Sequence, residues 1–211
     1  MSPAELRIGG LARLSTCDWP GQLVATIFTQ GCPWDCHYCH NPDLIPACAP
    51  NAIPWQEVVK FLETRRGLLD GVVFSGGEPT LQKALPDAVA QLRKMGFRIG
   101  LHSGGPYPER FRQVLPLLDW VGFDVKAPFA EYEQITGVAG SGTPARESLI
   151  ALIESGVPCD IRTTVQAAWL NADAIARLRK DLAGLGVHGR LQEFRAAGCR
   201  PDRLPTLPVE G

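Results

Sequence analysis

Three cysteines fall within one short stretch, "TQGCPWDCHYCHNPDL" (29–44): Cys32, Cys36 and Cys39, spaced C-x3-C-x2-C. The chain has seven cysteines, an odd count that suits metal binding better than a disulfide framework. Two chemistries fit three thiols. A zinc ion needs a fourth ligand, for which His37, His40 and Cys48 are the candidates. Zinc sites more often pair a C-x2-C knuckle with a distant second pair, and Cys159 and Cys199 are too far apart to supply one. A 4Fe–4S cluster takes one thiolate per iron. Three thiolates then leave one iron with open coordination, where a small molecule can bind directly.

A second motif, "SGGEP" (75–79), ends an apolar run. Gly76 and Gly77 allow the backbone to approach a ligand and leave its polar groups free, and Glu78 adds a carboxylate. Such a loop suits the ammonium group of an amino acid. Taken alone, the same residues also describe an ordinary Gly-Gly turn before a helix.

The elements that must position these motifs alternate regularly. Strands are expected at 23–31, 71–77, 97–105, 120–126, 158–165 and 190–196. Helices are expected at 55–67, 85–96, 107–118, about 144–155 and from Asn171 to about Ala183, with Gly67 and Gly96 as stops. Six strands with intervening helices imply parallel pairing and right-handed crossovers. Side chains alternate faces along a strand. Val121, Phe123 and Val125 share one face; Gly122, Asp124 and Lys126 share the other. Ile99 and Leu101 likewise oppose Gly100 and His102, and Ile161, Thr163 and Val165 oppose Asp160, Arg162 and Thr164. A sheet covered on both sides by helices would be apolar on both faces. One polar face points instead to a partial (β/α)6 barrel, an incomplete TIM-like α/β barrel with a polar concavity. Its functional groups should gather at the carboxyl ends of the strands. The expected organisation is an N-terminal hairpin or cap (1–22), a core domain (23–196) and a Pro-rich, extended C-terminal tail (197–211).

Bulk properties exclude other classes. The chain of 211 residues is 45% hydrophobic, enough for a core without disulfides, and its net charge is −1 from 21 basic and 22 acidic residues. That balance gives no support for a nucleic-acid or acidic-membrane surface. No apolar run approaches the ~20 residues of a membrane span, and the N-terminus lacks the apolar core of a signal peptide. A cytoplasmic protein with reduced thiols is expected.

Together, "CPWDCHYC" and "SGGEP" resemble the radical S-adenosylmethionine (radical SAM) superfamily, over a region that spans nearly all of 23–196. The resemblance implies that S-adenosylmethionine chelates the open iron of a 4Fe–4S cluster held by Cys32, Cys36 and Cys39. One electron then breaks a C–S bond, giving methionine and a 5′-deoxyadenosyl radical that abstracts hydrogen. Within the superfamily, "GCPWDCHYCHNPDL" is similar to the glycyl-radical-enzyme activases, through His40–Asn41–Pro42 after the third cysteine. The lead-in "STCDWPG" agrees at Ser15, Asp18, Pro20 and Gly21. The anaerobic ribonucleoside-triphosphate reductase activating proteins are the most similar group. The implied partners are a glycyl-radical enzyme as protein substrate and a flavodoxin or ferredoxin as electron donor.

The resemblance also implies residue roles. Gly76, Gly77 and Glu78 would hold the methionine ammonium. Tyr38 would pack near the adenine. Asp124 and Lys126 would lie near the sulfonium and carboxylate, with Lys126 in the catalytic set, and Arg162 near the carboxylate. His37 and His40 flank the cluster and could tune it by hydrogen bonding. Some activases carry Asp-Thr-Asn-Gly where this chain has "LHSGG", and a histidine cannot replace a carboxylate at a cation site. A monovalent cation is therefore not expected here; His102 and Ser103 would hydrogen-bond the ribose, or His102 would be a satisfied interior histidine. Cys48 could fold back and close the open iron. Trp19 and Trp34, near the mouth, could meet a partner. Two rivals stand beside this reading. One is a radical SAM enzyme acting on a small molecule, of the 7-carboxy-7-deazaguanine synthase type; the other is a zinc-stabilised binding protein without catalysis.

Overall fold

The structure, a computed structural model, describes residues 2–50 and 52–204. One sheet runs through it, in the order of the chain: β1 (Ile8–Ser15), β2 (Val24–Thr29), β3 (Gly71–Gly76), β4 (Arg98–Ser103), β5 (Trp120–Asp124), β6 (Cys159–Val165) and β7 (Arg190–Glu193). β2 to β7 are parallel, as expected from the alternation, and β1 adds an antiparallel seventh strand against β2. The expected N-terminal hairpin is thus part of the sheet. The sheet does not close: β1 and β7 are its two edges, which makes a partial barrel.

Helices connect the strands: α1 (Trp55–Glu63), α2 (Leu85–Lys94), α3 (Pro108–Val114), α4 (Glu133–Thr136), α5 (Gly142–Ser155) and α6 (Ala172–Ala183). Their apolar stripes follow the 3.6 period. Val58 and Leu62 of α1, Leu85, Ala88, Val89 and Leu92 of α2, and Ala174, Leu178 and Leu182 of α6 are all buried. Asn171 caps α6 by accepting from the Ala174 N–H at 2.9 Å. The helix expected over 107–118 is split. It gives way after Val114 to a single 3-10 turn, Leu115–Leu117. Pro116 is the cause, since it has no N–H and crowds the residue before it. The short helix α4 was not expected; Gly137, with φ of 69°, ends it in the left-handed region.

The two faces of the sheet separate as their sequence alternation requires. Ile27, Val72, Phe74, Ile99, Leu101, Val121, Phe123 and Ile161 join the helices in the main core. A second, small cluster of Trp19, Val24, Val73 and Trp120 fills part of the inside of the barrel. The Trp19 and Trp120 rings stack with centroids 5.6 Å apart. Gly100 makes room for them: a Cβ there would sit 2.9 Å from Trp19. The expectation that Trp19 and Trp34 could meet a partner is overturned, because both are buried, at 4% and 5% exposure. Trp34 packs edge-on against Tyr132 and under Gly104.

The tail is described as far as Leu204, and 205–211 lie outside the described residues. Residues 197–204 form no strand or α-helix. They run back over the cysteine loop with one 3-10 turn, Pro201–Arg203.

Candidate active site

The carboxyl ends of the strands surround a cavity of about 240 Å³. All the site residues expected from the sequence line it. Cys32, Cys36, Cys39, Tyr38 and His40 come from the loop after β2, and Gly76, Gly77 and Glu78 from the end of β3. His102 and Ser103 come from β4, Asp124 and Lys126 from β5 and its end, and Arg162 from β6. Thr164 and Gln192 also line the cavity and hydrogen-bond each other at 2.7 Å. Thr164 has the same parity as Arg162, so the period-two alternation already placed it inside; Gln192 carried no chemical signal.

The cysteine loop, residues 30–41, has neither helix nor strand. Its backbone is held by neighbours: Gly31 and Cys32 donate to Leu44 and Ile45, and Asp35 and His37 donate to Thr136 and Ile135 of α4. Burial pushes the Cys32 thiol up to about 12 and the Cys36 thiol, despite the opposing effect of Lys126, up to about 11. Iron binding must therefore displace protons from both. Among the described residues, no three His, Cys, Asp or Glu side chains converge on a point that would hold a single metal ion. The zinc candidates are otherwise placed. His37 stacks on Trp169, the His40 Nε2 lies 2.8 Å from the Arg195 carbonyl, and Cys48 is exposed and does not line the cavity. Three thiols around one cavity suit a cluster that takes one thiolate per iron.

Glu78 is buried and well supplied with donors. Its Oε1 accepts from the Thr80 N–H at 3.0 Å and the Thr80 hydroxyl at 2.6 Å; its Oε2 accepts from the Gly104 N–H at 3.2 Å. The Ser103 hydroxyl donates to it as well, at 2.9 Å, and accepts from the Gly105 N–H. Burial raises the Glu78 pKa more than these bonds lower it. Among the described residues no cation of the chain pairs with Glu78. The glycines before it have a further purpose that the sequence did not show. A Cβ on Gly77 would stand 2.3 Å from the Gly31 carbonyl oxygen, and one on Gly76 would stand 2.5 Å from the Thr29 nitrogen. Gly77 thus locks the motif loop against the start of the cysteine loop, and Gly76 packs it against the end of β2.

On β5, Asp124 takes Lys126 on Oδ2 at 3.0 Å and Arg162 on Oδ1 at 2.7 Å. Burial opposes the Asp124 charge, but the two cations outweigh it and hold the carboxyl well below the usual range. Burial likewise opposes the Lys126 charge, and Asp124 reverses this and raises the ammonium pKa. His102 completes the group. Its Nε2 lies 2.7 Å from the Asp18 carbonyl and therefore carries the proton; its Nδ1 accepts from Arg162 Nη2. Both ring nitrogens are taken, and the only Ser103 proton goes to Glu78. The geometry therefore supports the interior, satisfied histidine over a ribose contact of His102, whereas Ser103, which accepts only from the Gly105 N–H, keeps a second lone pair that can accept from a ribose hydroxyl. Tyr38 is buried beside Trp169 and Phe194, with Lys126 Nζ 6.0 Å from its ring centroid.

The cavity therefore has two electrostatic sides. One is an unpaired carboxylate, Glu78. The other is two cations sharing a single carboxylate, with one positive charge in excess.

Comparison with known proteins agrees with this chemistry. The profile of the Radical SAM superfamily matches residues 26–167, and the chain belongs to that family. It is an enzyme class that uses a 4Fe–4S cluster and S-adenosylmethionine. Among curated relatives, the chain is 27% identical to a protein named as a glycyl-radical enzyme activating enzyme from Methanocaldococcus jannaschii, over 96% of this chain and 85% of that one. It is 30% identical to the pyruvate formate-lyase-activating enzyme of Clostridium pasteurianum, over 64% of this chain and 59% of that one. It is 28% identical to the 7-carboxy-7-deazaguanine synthase of Thermococcus kodakarensis, over 76% of this chain and 71% of that one. In fold it is similar to Streptococcus suis SuiB bound to precursor peptide SuiA, with a TM-score of 0.63 at 13% identity, over 84% of this chain and 41% of that one.

Proposed function

We propose that this radical SAM enzyme generates a glycyl radical on a partner protein, and that the partner is an anaerobic ribonucleoside-triphosphate reductase. The observation that carries the reading is the pairing of the three-thiol loop with a cavity whose charges complement a zwitterion. Cys32, Cys36 and Cys39 would hold the cluster. Glu78 offers an ammonium group the counter-charge it lacks within the chain, and the excess positive charge of Lys126 and Arg162 suits a carboxylate. When bound, the cluster and S-adenosylmethionine supply a 5′-deoxyadenosyl radical by one-electron cleavage of the cofactor. The chain's own contribution is to fix and shield. Asp124 keeps Lys126 extended into the cavity, Ser103 and Thr80 fix the Glu78 carboxylate, and Tyr38 and Trp34 supply apolar walls that exclude water. The similarity to the archaeal activating enzyme over nearly the whole chain supports a protein substrate, as does the Cys39–His40–Asn41–Pro42 run. A flavodoxin or ferredoxin would supply the electron.

The deazaguanine synthase relative supports a second reading, a small-molecule substrate. One experiment separates them. The anaerobically reconstituted enzyme is incubated with S-adenosylmethionine, a reductant and either a glycyl-radical enzyme or the substrate of the synthase reaction. A doublet glycyl-radical signal in the electron paramagnetic resonance spectrum of the ribonucleotide reductase supports the proposal. The same signal on pyruvate formate-lyase alone moves the partner. Turnover of the small molecule with no protein radical favours the second reading.

A further inference from the structure

The loop that carries the three thiols has no secondary structure of its own, so its shape depends on what it touches. The backbone of α4 holds one part of it, as described above. Leu44 and Ile45 hold its start, and the stretch 194–203 holds Asp35, Tyr38 and His40 through contacts of several kinds. The Phe194 ring packs 6.3 Å from Tyr38 and 6.1 Å from His40. The Arg195 carbonyl takes the His40 ring at 2.8 Å. Gly198, with φ of 86°, passes so close that a Cβ would lie 2.9 Å from the His40 carbonyl oxygen. The Cys199 thiol donates to the Tyr38 carbonyl at 3.4 Å. Finally, both oxygens of Asp35 are occupied: Arg200 pairs with Oδ1, and Arg203 with Oδ2 at 2.7 Å. Asp35 is the residue immediately before Cys36.

We propose that residues 194–203 form a clamp on the cluster loop, and that Asp35, gripped by Arg200 and Arg203, is the positioning residue through which the clamp holds the thiols in place. A cluster keeps its iron only while three thiolates stay within bonding reach together. An anchor beside Cys36 limits how far the loop can open. The two arginines also offset the charge of a carboxylate that would otherwise repel anionic thiolates. No sequence motif pointed to this role, because the anchor pairs residues more than 160 positions apart. The inference concerns the chain's own loop and is independent of which partner is activated.

The test compares full-length proteins reconstituted without oxygen. Iron loss to a ferrous chelator is followed with time, alongside thermal unfolding of the metal-free forms. The double variant R200A/R203A should release iron roughly threefold to tenfold faster than the parent, the range that two partly exposed ion pairs allow. Its metal-free melting temperature should stay close to the parent's. R200K/R203K, which keeps the charges, should recover most of the retention, and Arg66→Ala, at an exposed position outside the clamp, should change nothing. A parental release rate in R200A/R203A overturns the clamp. So does an equal acceleration in Arg66→Ala, and so does faster release that merely follows a lowered melting temperature.

Discussion

Asp124 accepts Lys126 on one oxygen and Arg162 on the other, so its removal leaves two cations facing each other. Asp124→Asn should cost about 2 kcal/mol or more in the denaturant unfolding of the metal-free protein. That is below the ~3–5 kcal/mol of a fully buried pair, because these side chains keep 17–28% exposure. His102 makes a second prediction at this scale. Burial first, and Arg162 second, lower its pKa. A depressed imidazole contributes stability above its unfolded value of about 6.5, and that stability is lost as pH falls toward the folded value. The unfolding free energy should therefore decline as pH falls below about 6.5, and His102→Gln should flatten the decline. An identical slope in the variant would show that the decline does not come from His102. Each of Cys32→Ala, Cys36→Ala and Cys39→Ala should lose the cluster's iron and visible absorbance after reconstitution, whereas Cys48→Ala should keep both. Iron retained in Cys36→Ala but lost in Cys48→Ala would exchange their roles.

At the scale of the elements, the end of β3 crosses the cysteine loop with no room for a Cβ. Gly77→Ala must push a methyl into the Gly31 carbonyl, which is backbone and cannot swing aside. A loss of about 1–3 kcal/mol, typical of overpacking, should appear in the melt of the metal-free protein; an unchanged melt would show that the loops can part. Much of this architecture was legible in the sequence. Alternation of Val121, Phe123 and Val125 with Gly122, Asp124 and Lys126 gave the polar interior, and hence a partial barrel rather than a doubly covered sheet. The cysteine spacing and the Gly-Gly-Glu loop gave the site. What stayed hidden depends on tertiary contact. Nothing in the local pattern around Trp19 shows that it stacks on Trp120 inside the barrel. Nothing about "LHSG" shows that His102 bonds the Asp18 carbonyl and not a ligand. The break at Pro116 was readable in principle from the missing N–H, but the apolar period runs straight through it.

For the molecule as a whole, the open sheet places the cluster loop, the Gly-Gly-Glu loop and the Asp124 group around one cavity, with the end of the described chain closing over the loop from outside. Among the described residues no helix is long and apolar enough to cross a membrane. The central claim is that three thiols hold a cluster whose remaining iron faces the cavity's zwitterion-matched charges. The most direct test is the electron paramagnetic resonance spectrum of the anaerobically reconstituted, dithionite-reduced protein, recorded before and after S-adenosylmethionine is added. The account predicts the signal of a reduced 4Fe–4S cluster that the cofactor changes, with the change weakened in Glu78→Gln. A cluster signal indifferent to S-adenosylmethionine, or a colourless protein holding one zinc, would contradict it.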